Sequence, residues 1–217
     1  ATRKLYELKP FIGDNSLIGD SSESDTGSNN VAIGLNAGKF IKSNKNIFIG
    51  AEATSEDKKI GGENIVIGYQ SGKLMGISGT DTGPEANIII GSGAGPVCEK
   101  NHNIYIGKNT ASNNSNGENN VYMGHSAGIT NTDNSNSVII GYESGVSSSS
   151  LTESVLMGYQ SGTNLAGVSN TVIGFKSCML GREHNTTLGY KSGINSTGSY
   201  NTIIGSNSGT TVKSNNN

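Results

Sequence analysis

Residues 64–72 read Asn-Ile-Val-Ile-Gly-Tyr-Gln-Ser-Gly, one copy of a motif that recurs along almost the whole chain. The marker of each copy is the glycine that follows a three-residue apolar run. Most spacings between markers are 15 to 17 residues, but Gly50 to Gly68 takes 18 and Gly68 to Gly91 takes 23. Such self-similarity predicts a repeat protein of stacked units. The twelve marker glycines are Gly19, Gly34, Gly50, Gly68, Gly91, Gly107, Gly124, Gly141, Gly158, Gly174, Gly189 and Gly205.

The residue types within one copy predict strands and corners. Runs such as 88–90 (Ile-Ile-Ile) are rich in β-branched residues, which favour a short strand. The marker glycine suits a corner, because it allows a close approach that a Cβ would forbid. No helical period of 3.6 is present. We therefore predict an all-β, parallel β-solenoid of about twelve coils with about 16 residues each.

An asparagine stands four residues before the marker glycine in ten of the twelve copies. Asparagines that repeat at one position of a coil can stack, each amide bonding to the coils above and below. Ser137 and Ser154 replace the asparagine in the other two copies. The predicted structural ladder comprises Asn30, Asn46, Asn64, Asn87, Asn103, Asn120, Asn170, Asn185 and Asn201, with Asn15 before them.

Both faces of each predicted strand are apolar. Val121 and Met123 lie on one side of a strand and Tyr122 on the other, since successive side chains alternate. The middle residue is apolar in eleven of twelve copies, with Thr187 as the exception. One face can fill the interior of the coil, and the other needs a second cover. Self-association is the simplest cover.

Composition limits the class of protein and its partners. Only 32% of the residues are hydrophobic and 32 are glycine, which suits a thin core along an axis better than a globule. The net charge is -2 and no basic stripe is present, so nucleic acid is not expected as a partner. No apolar stretch approaches the roughly 20 residues that span a bilayer, so membrane insertion is not expected either.

Residues 30–34 (Asn-Val-Ala-Ile-Gly), 64–72 and 170–174 (Asn-Thr-Val-Ile-Gly) resemble two related groups of repeats. One is the head repeat of trimeric autotransporter adhesins, a left-handed parallel β-roll. The other is the Ile-Gly-Tyr-Gln type repeat of phage and large-virus tail fibres. The resemblance covers residues 15 to about 209. It implies a left-handed coil, a homotrimer, and a surface fibre that attaches to a host.

The period here is longer and less regular than in the adhesin heads, and the corners read Tyr-Gln-Ser-Gly, so the viral or phage fibre is favoured. The implied location is the virion surface or the cell exterior. We expect residues 1–14 to be an N-terminal cap or attachment segment, 15–209 the repeat domain, and 210–217 a C-terminal tail. The apolar residues near Leu5 and Phe11 suggest the cap.

The longest coil, between Gly68 and Gly91, is the first candidate for ligand binding, because loops that leave a solenoid often bind partners. Leu74, Met75 and Ile77 are candidates for an exposed apolar patch, with Asp81 and Glu85 as polar contacts. The alternative is that these apolar residues fold back to cover a neighbouring chain.

Aromatic residues directly after the marker glycine are the second candidate. Tyr142, Tyr159, Phe175 and Tyr190 occupy consecutive coils and should stack at intervals of about 4.8 Å. Such a row could form a sugar-binding platform that includes Tyr142, Tyr159 and Tyr190. An internal or inter-chain stack is the alternative, which requires these rings to share the direction of the inward-pointing Ile before the glycine.

Catalytic chemistry is not expected. Cys98 and Cys178 lie five coils apart, as do His102 and His184, so about 24 Å separates each pair. That distance excludes an intrachain disulfide and a shared metal within one chain. No carboxylate pair stands out for glycoside hydrolysis, and no cofactor motif occurs. We expect a non-enzymatic trimeric fibre or adhesin head that binds a host-cell glycan or protein. A purely structural spacer rod is the alternative, and a polysaccharide depolymerase is a weaker one.

Overall fold

The fold is a single parallel β-sheet coiled into a solenoid, seen in a computed structural model. The structure describes the backbone of Phe11–Ile12 and residues 27–77, 82–148, 151–177, 180 and 183–217. The strands are β1 (Phe11–Ile12), β2 (Val31–Ile33), β3 (Ile47–Ile49), β4 (Ile65–Ile67), β5 (Ile88–Ile90), β6 (Ile104–Ile106), β7 (Val121–Met123), β8 (Val138–Ile140), β9 (Val155–Met157), β10 (Thr171–Ile173), β11 (Thr186–Leu188) and β12 (Thr202–Ile204). They lie side by side in sequence order. The predicted all-β solenoid is confirmed.

The strands pair because equivalent residues of successive copies meet. Val121 pairs with Val138 and Tyr122 with Ile139, and every other neighbouring pair is also parallel and in register. Backbone hydrogen bonds run from coil to coil, as from Val31 N to the Asn46 carbonyl at 2.8 Å. The eleven strands β2 to β12 enclose about ten turns. The expected number was about twelve, and the copy that ends at Gly19 lies outside the described residues.

The N-terminal neighbour of β2 differs from the expected one. Strand β1 pairs with β2, Phe11 with Ala32 and Ile12 with Ile33. This edge of β2 was assigned to the copy that ends at Gly19. A strand of the sheet therefore lies within the segment 1–14 that we expected to be a cap or attachment segment.

Residues of the predicted C-terminal tail, 210–217, hydrogen-bond to the coil before them. Thr197 N donates to the Val212 carbonyl at 2.8 Å, and Thr202 N donates to the Asn217 carbonyl at 2.7 Å. The Asn217 side chain also donates to Asn201 Oδ1 at 2.9 Å. Asn217 lies 16 residues after Asn201, so the coil spacing holds to this residue although the segment is polar.

The middle residue of each three-residue strand points into the coil and is buried. These residues range from Ala32 to Tyr105, so neighbouring coils fill the core with different volumes. Thr187 is the polar one, and its hydroxyl accepts a hydrogen bond from Ser177 Oγ at 3.2 Å. A second layer comes from small residues after the marker glycine, such as Ala94, and from Met75, Leu151 and Leu165.

The two flanking residues of each strand point away from the interior. They are half-buried along β2 to β6, and exposure reaches 63% at Ile204 in β12. The Ile before the marker glycine therefore points outward, contrary to our expectation. We call the flanking residues of β2 to β12 the outer strip. It runs along the length of the sheet as two rows.

The asparagines form a continuous hydrogen-bonded ladder on the inner side of the coil. Asn103 Oδ1 accepts from Asn120 N at 3.1 Å, and Asn103 Nδ2 donates to the Gly117 carbonyl of the next coil at 2.9 Å. Where serine replaces asparagine, the hydroxyl oxygen accepts the hydrogen bond from the backbone of the next coil, and Ser154 N donates to Ser137 Oγ at 3.2 Å. The ladder thus satisfies backbone groups that the thin core would otherwise leave unpaired.

Candidate functional site

The two longest coils are neighbours, and their extra residues meet outside the regular coil. Lys59 and Ile77 form an antiparallel bridge, with Lys59 N to the Ile77 carbonyl at 3.0 Å and Ile77 N to the Lys59 carbonyl at 3.1 Å. A Cβ at Gly83 would lie 2.0 Å from the Lys59 carbonyl oxygen, so only a glycine allows the backbone at position 83 to pass this close to Lys59. Together these segments form a wall that projects from the rod.

The wall borders an open groove of about 890 Å³. This volume lies in the range of ligand-binding clefts. The groove also takes in the turns before the asparagine ladder in several coils. Its lining residues are Phe40, Lys42, Ser43, Asn44, Lys45, Asp57, Lys58, Lys59, Ile60, Gly61, Gly62, Glu63, Ile77, Thr82, Gly83, Glu85, Ala86 and His102. We call this the coil-4 groove.

The candidate residues of the longest coil divide between surface and core. Ile77 and Glu85 line the coil-4 groove. Leu74 is 37% exposed, but Met75 is fully buried in the core of its own chain, so Met75 cannot contact a ligand at the surface. Asp81 lies outside the described residues. Met75 turns inward because it occupies an inner position of the coil, beside Gly72.

The floor of the groove is a column of residues with left-handed backbone, one from each coil. Lys45, Glu63, Ala86 and His102 have φ between 53° and 64°. Lys45 Nζ lies 3.0 Å from Glu63 Oε1, and both side chains are more than 60% exposed. Such a pair contributes little to stability. The sequence analysis missed this column, although its residues all stand directly before the ladder asparagine.

The aromatic row lies on the surface of the chain, where each ring stacks on the next. His125, Tyr142, Tyr159, Phe175 and Tyr190 have successive centroid distances of 5.3, 5.3, 5.0 and 5.4 Å, with interplanar angles of 14° or less. We call this the aromatic ladder. The predicted platform residues Tyr142, Tyr159 and Tyr190 are 40–46% exposed. Rings cover both faces of Tyr142 and Tyr159, which therefore present their edges, whereas Tyr190 stacks on Phe175 through one face only.

Charged groups flank the edges of the aromatic ladder. Lys176 Nζ lies 5.6 Å from the Phe175 centroid. A hydrogen bond from Gln160 Nε2 at 2.7 Å lowers the pKa of Glu143 below its usual value, and Tyr142 adds to this effect. Glu143 in turn raises the pKa of Tyr142. In the single chain the aromatic ladder is exposed, so it is not an internal stack.

Removal of one ring should reveal the contribution of the aromatic ladder. We expect Tyr159→Ala to lower the free energy of unfolding by about 1–2 kcal/mol, because two stacked contacts are lost. Tyr69→Ala is the matched control, since Tyr69 occupies the same position but its column neighbours are Ala51 and Ser92. Urea denaturation should show a loss below about 0.5 kcal/mol for the control. Equal losses would contradict a stacking contribution.

Cys98, Tyr105 and Tyr122 carry ionisable groups and are fully buried in the core. Desolvation raises the pKa of Cys98 to about 12, so its thiolate does not form near neutral pH. Cys178 lies outside the described residues. The Tyr105 and Tyr122 hydroxyls accept hydrogen bonds from Asn114 Nδ2 inside the coil. Burial raises the pKa of Tyr122 to about 12. These groups serve the packing of the core.

In the described part of the chain, no group of three or more His, Cys, Asp or Glu residues comes close enough to hold a metal ion. Within the same residues, no helix has the length and apolarity that crossing a membrane requires.

No protein-family model, no curated protein and no solved structure matches this chain.

Proposed function

We propose that this chain is a non-enzymatic fibre or adhesin head that self-associates as a homotrimer and binds a host-cell surface glycan or protein. A viral or phage fibre is favoured over a bacterial adhesin, and the place of action is the virion or cell surface. The observation that carries the proposal is the outer strip, an apolar surface along a rigid rod. The repeat resemblance noted in the sequence supports the trimer and the attachment role.

The size of the outer strip supports association. The outer strip extends over ten strand spacings of about 4.8 Å, and each three-residue strand is about 10 Å long, so its surface is roughly 500 Å². The largest apolar patch of a typical monomer is about 300–600 Å² and often functional. In β2 to β9 every residue of the strip is Ile, Val or Met. Water would contact these aliphatic side chains in an isolated chain.

The periodicity of the outer strip favours another copy of the same chain as its cover. Its side chains form ridges that repeat with the coil spacing of about 4.8 Å. A second copy carries ridges with the same repeat, so the two can interdigitate along the whole length. Closed symmetry then limits the assembly to a defined number of copies.

The oligomeric mass in solution tests self-association. We expect light scattering to give three chain masses for the unmodified protein. Ile90→Lys with Ile106→Lys should give monomers, because both side chains lie in the outer strip and buried unpaired charges are costly. Ser92→Lys with Ser206→Lys, at exposed positions after the marker glycine, is the matched control. A monomeric unmodified protein would contradict the proposal.

Host binding is tested separately, with glycan arrays and intact cells. We expect the assembled protein to bind one or both without generating reducing ends from any polysaccharide. Turnover of a polysaccharide would favour a depolymerase instead. The observation that favours the alternative of a spacer rod is the aromatic ladder, in which neighbouring rings occupy both faces of Tyr142, Tyr159 and Phe175. Absence of binding to every glycan and cell would support the spacer.

A further inference from the structure

The cationic side chains of this chain are concentrated around one feature. Six of its 15 lysines and arginines lie between residues 39 and 73, although the chain as a whole carries a net charge of -2. Four of these six line the coil-4 groove, namely Lys42, Lys45, Lys58 and Lys59. The groove therefore differs in sign from the rest of the molecule.

The charges within the coil-4 groove leave a positive balance. Four lysines face three carboxylates, Asp57, Glu63 and Glu85. Lys45 and Glu63 neutralise each other at 3.0 Å. Lys58 and Lys59 lie on the projecting wall, where the bridge to Ile77 fixes the backbone of Lys59. An anion that enters the groove meets the wall lysines.

The shape of the groove suits an elongated ligand. The column from Lys45 to His102 crosses three coil spacings, which is about 14 Å. Thr82 is exposed and offers a hydroxyl group. Apolar lining is limited to Phe40, Ile60, Ile77 and the methyl group of Ala86. A sugar chain, with many hydroxyls and few apolar faces, matches this lining better than the aromatic anchor of a protein partner.

We propose that the coil-4 groove binds an acidic oligosaccharide, with the carboxylate or sulfate groups of the sugar contacting Lys58 and Lys59. This inference rests on the proposed host-binding function and names the ligand class. The ring of Phe40 offers an apolar surface for one sugar face.

The test compares two charge-matched double variants by binding to immobilised glycans. Lys58→Ala with Lys59→Ala removes the wall charges. Lys100→Ala with Lys108→Ala removes two exposed charges outside the groove. The probes are heparan sulfate, polysialic acid and neutral dextran. Circular dichroism checks that each variant folds.

We expect the unmodified protein to bind heparan sulfate or polysialic acid and to ignore dextran. Affinity should fall about tenfold in the wall variant and remain within twofold in the control. Binding should weaken as salt rises from 50 to 500 mM, because exposed charges are screened. Preference for heparan sulfate would assign sulfate as the recognised group, and preference for polysialic acid would assign carboxylate.

Other results would overturn the inference. Binding to dextran alone would refute the acidic ligand and leave host binding intact. Binding only to cells stripped of glycans would identify a protein partner and refute the sugar. Equal losses in both double variants would show non-specific charge attraction. No binding to any glycan or cell would overturn both this inference and the proposed host-binding function.

Discussion

Alanine in place of Gly141 is expected to lower the free energy of unfolding by about 4 kcal/mol or more. Gly141 has φ of +134°, a conformation that costs other residues about 1–3 kcal/mol. Its Cβ would also lie 2.2 Å from the Gly158 carbonyl oxygen and 2.7 Å from the carbonyl carbon. Both atoms are backbone, so the coils must separate to relieve the contact. Separation would break the ladder bonds on either side.

Gly205→Ala separates the two causes. Gly205 has a similar φ of +122°, but the nearest atom to its Cβ would be Ser208 Cβ at 3.7 Å. This control should lose only the conformational part, about 1–3 kcal/mol. Both variants are compared by guanidinium denaturation at one protein concentration, since association contributes to apparent stability. Equal losses would show that coil-to-coil approach is not limiting at the marker glycine.

Leucine in place of Asn103 is expected to cost about 4 kcal/mol. Leucine has nearly the same size but offers no hydrogen bond. The Asn120 N–H loses its acceptor and the Gly117 carbonyl loses its donor, and both groups are buried. Each buried backbone group left without a partner costs about 1–3 kcal/mol. Denaturation at fixed protein concentration measures the loss.

Asn103→Ser is the matched variant, because serine already occupies this position in two coils. Ser137 Oγ accepts from Ser154 N and donates to the Leu151 carbonyl, the two roles that the amide performs elsewhere. We expect a loss of less than about 2 kcal/mol for serine. If serine and leucine cost the same, shape and not hydrogen bonding would explain the asparagine. The amide ladder would then be dispensable.

The sequence predicted the fold because the period is long, repeated and free of helical spacing. It also predicted two apolar faces for each strand, but the face that we expected to turn inward was the wrong one. The ladder asparagine indicates which face of the strand turns inward. Asn103 lies inside the coil, and alternation then places Tyr105, two residues later, inside as well. The residues beside Tyr105 must point outward, as the structure shows for Ile104 and Ile106.

The candidate site was predictable only in its position along the chain. The spacing of 23 residues after Gly68 marked the coil that departs from the regular path. The bridge between Lys59 and Ile77 joins residues of two different coils, and neither residue lies in a sequence pattern that predicts a strand. The inward turn of Met75, in contrast, follows from the repeat, because Met75 lies seven residues after its marker glycine. Ile41, Cys98 and Leu165 occupy the same register in other coils and are also buried. The sequence predicted that the residues of the aromatic ladder form a column. It did not predict how the rings are oriented, because the orientation of each ring depends on its contacts with the neighbouring coils.

The direction of the hydrogen bonds in this sheet has a mechanical consequence. Strands lie across the rod, so the bonds between coils point along it, and a pull on the two ends loads the coils in series. The weakest junction opens first, and the others keep their bonds. Each opened coil of about 16 residues lengthens from about 4.8 Å to about 55 Å. A rod under tension would therefore yield in steps and absorb work before the whole structure failed.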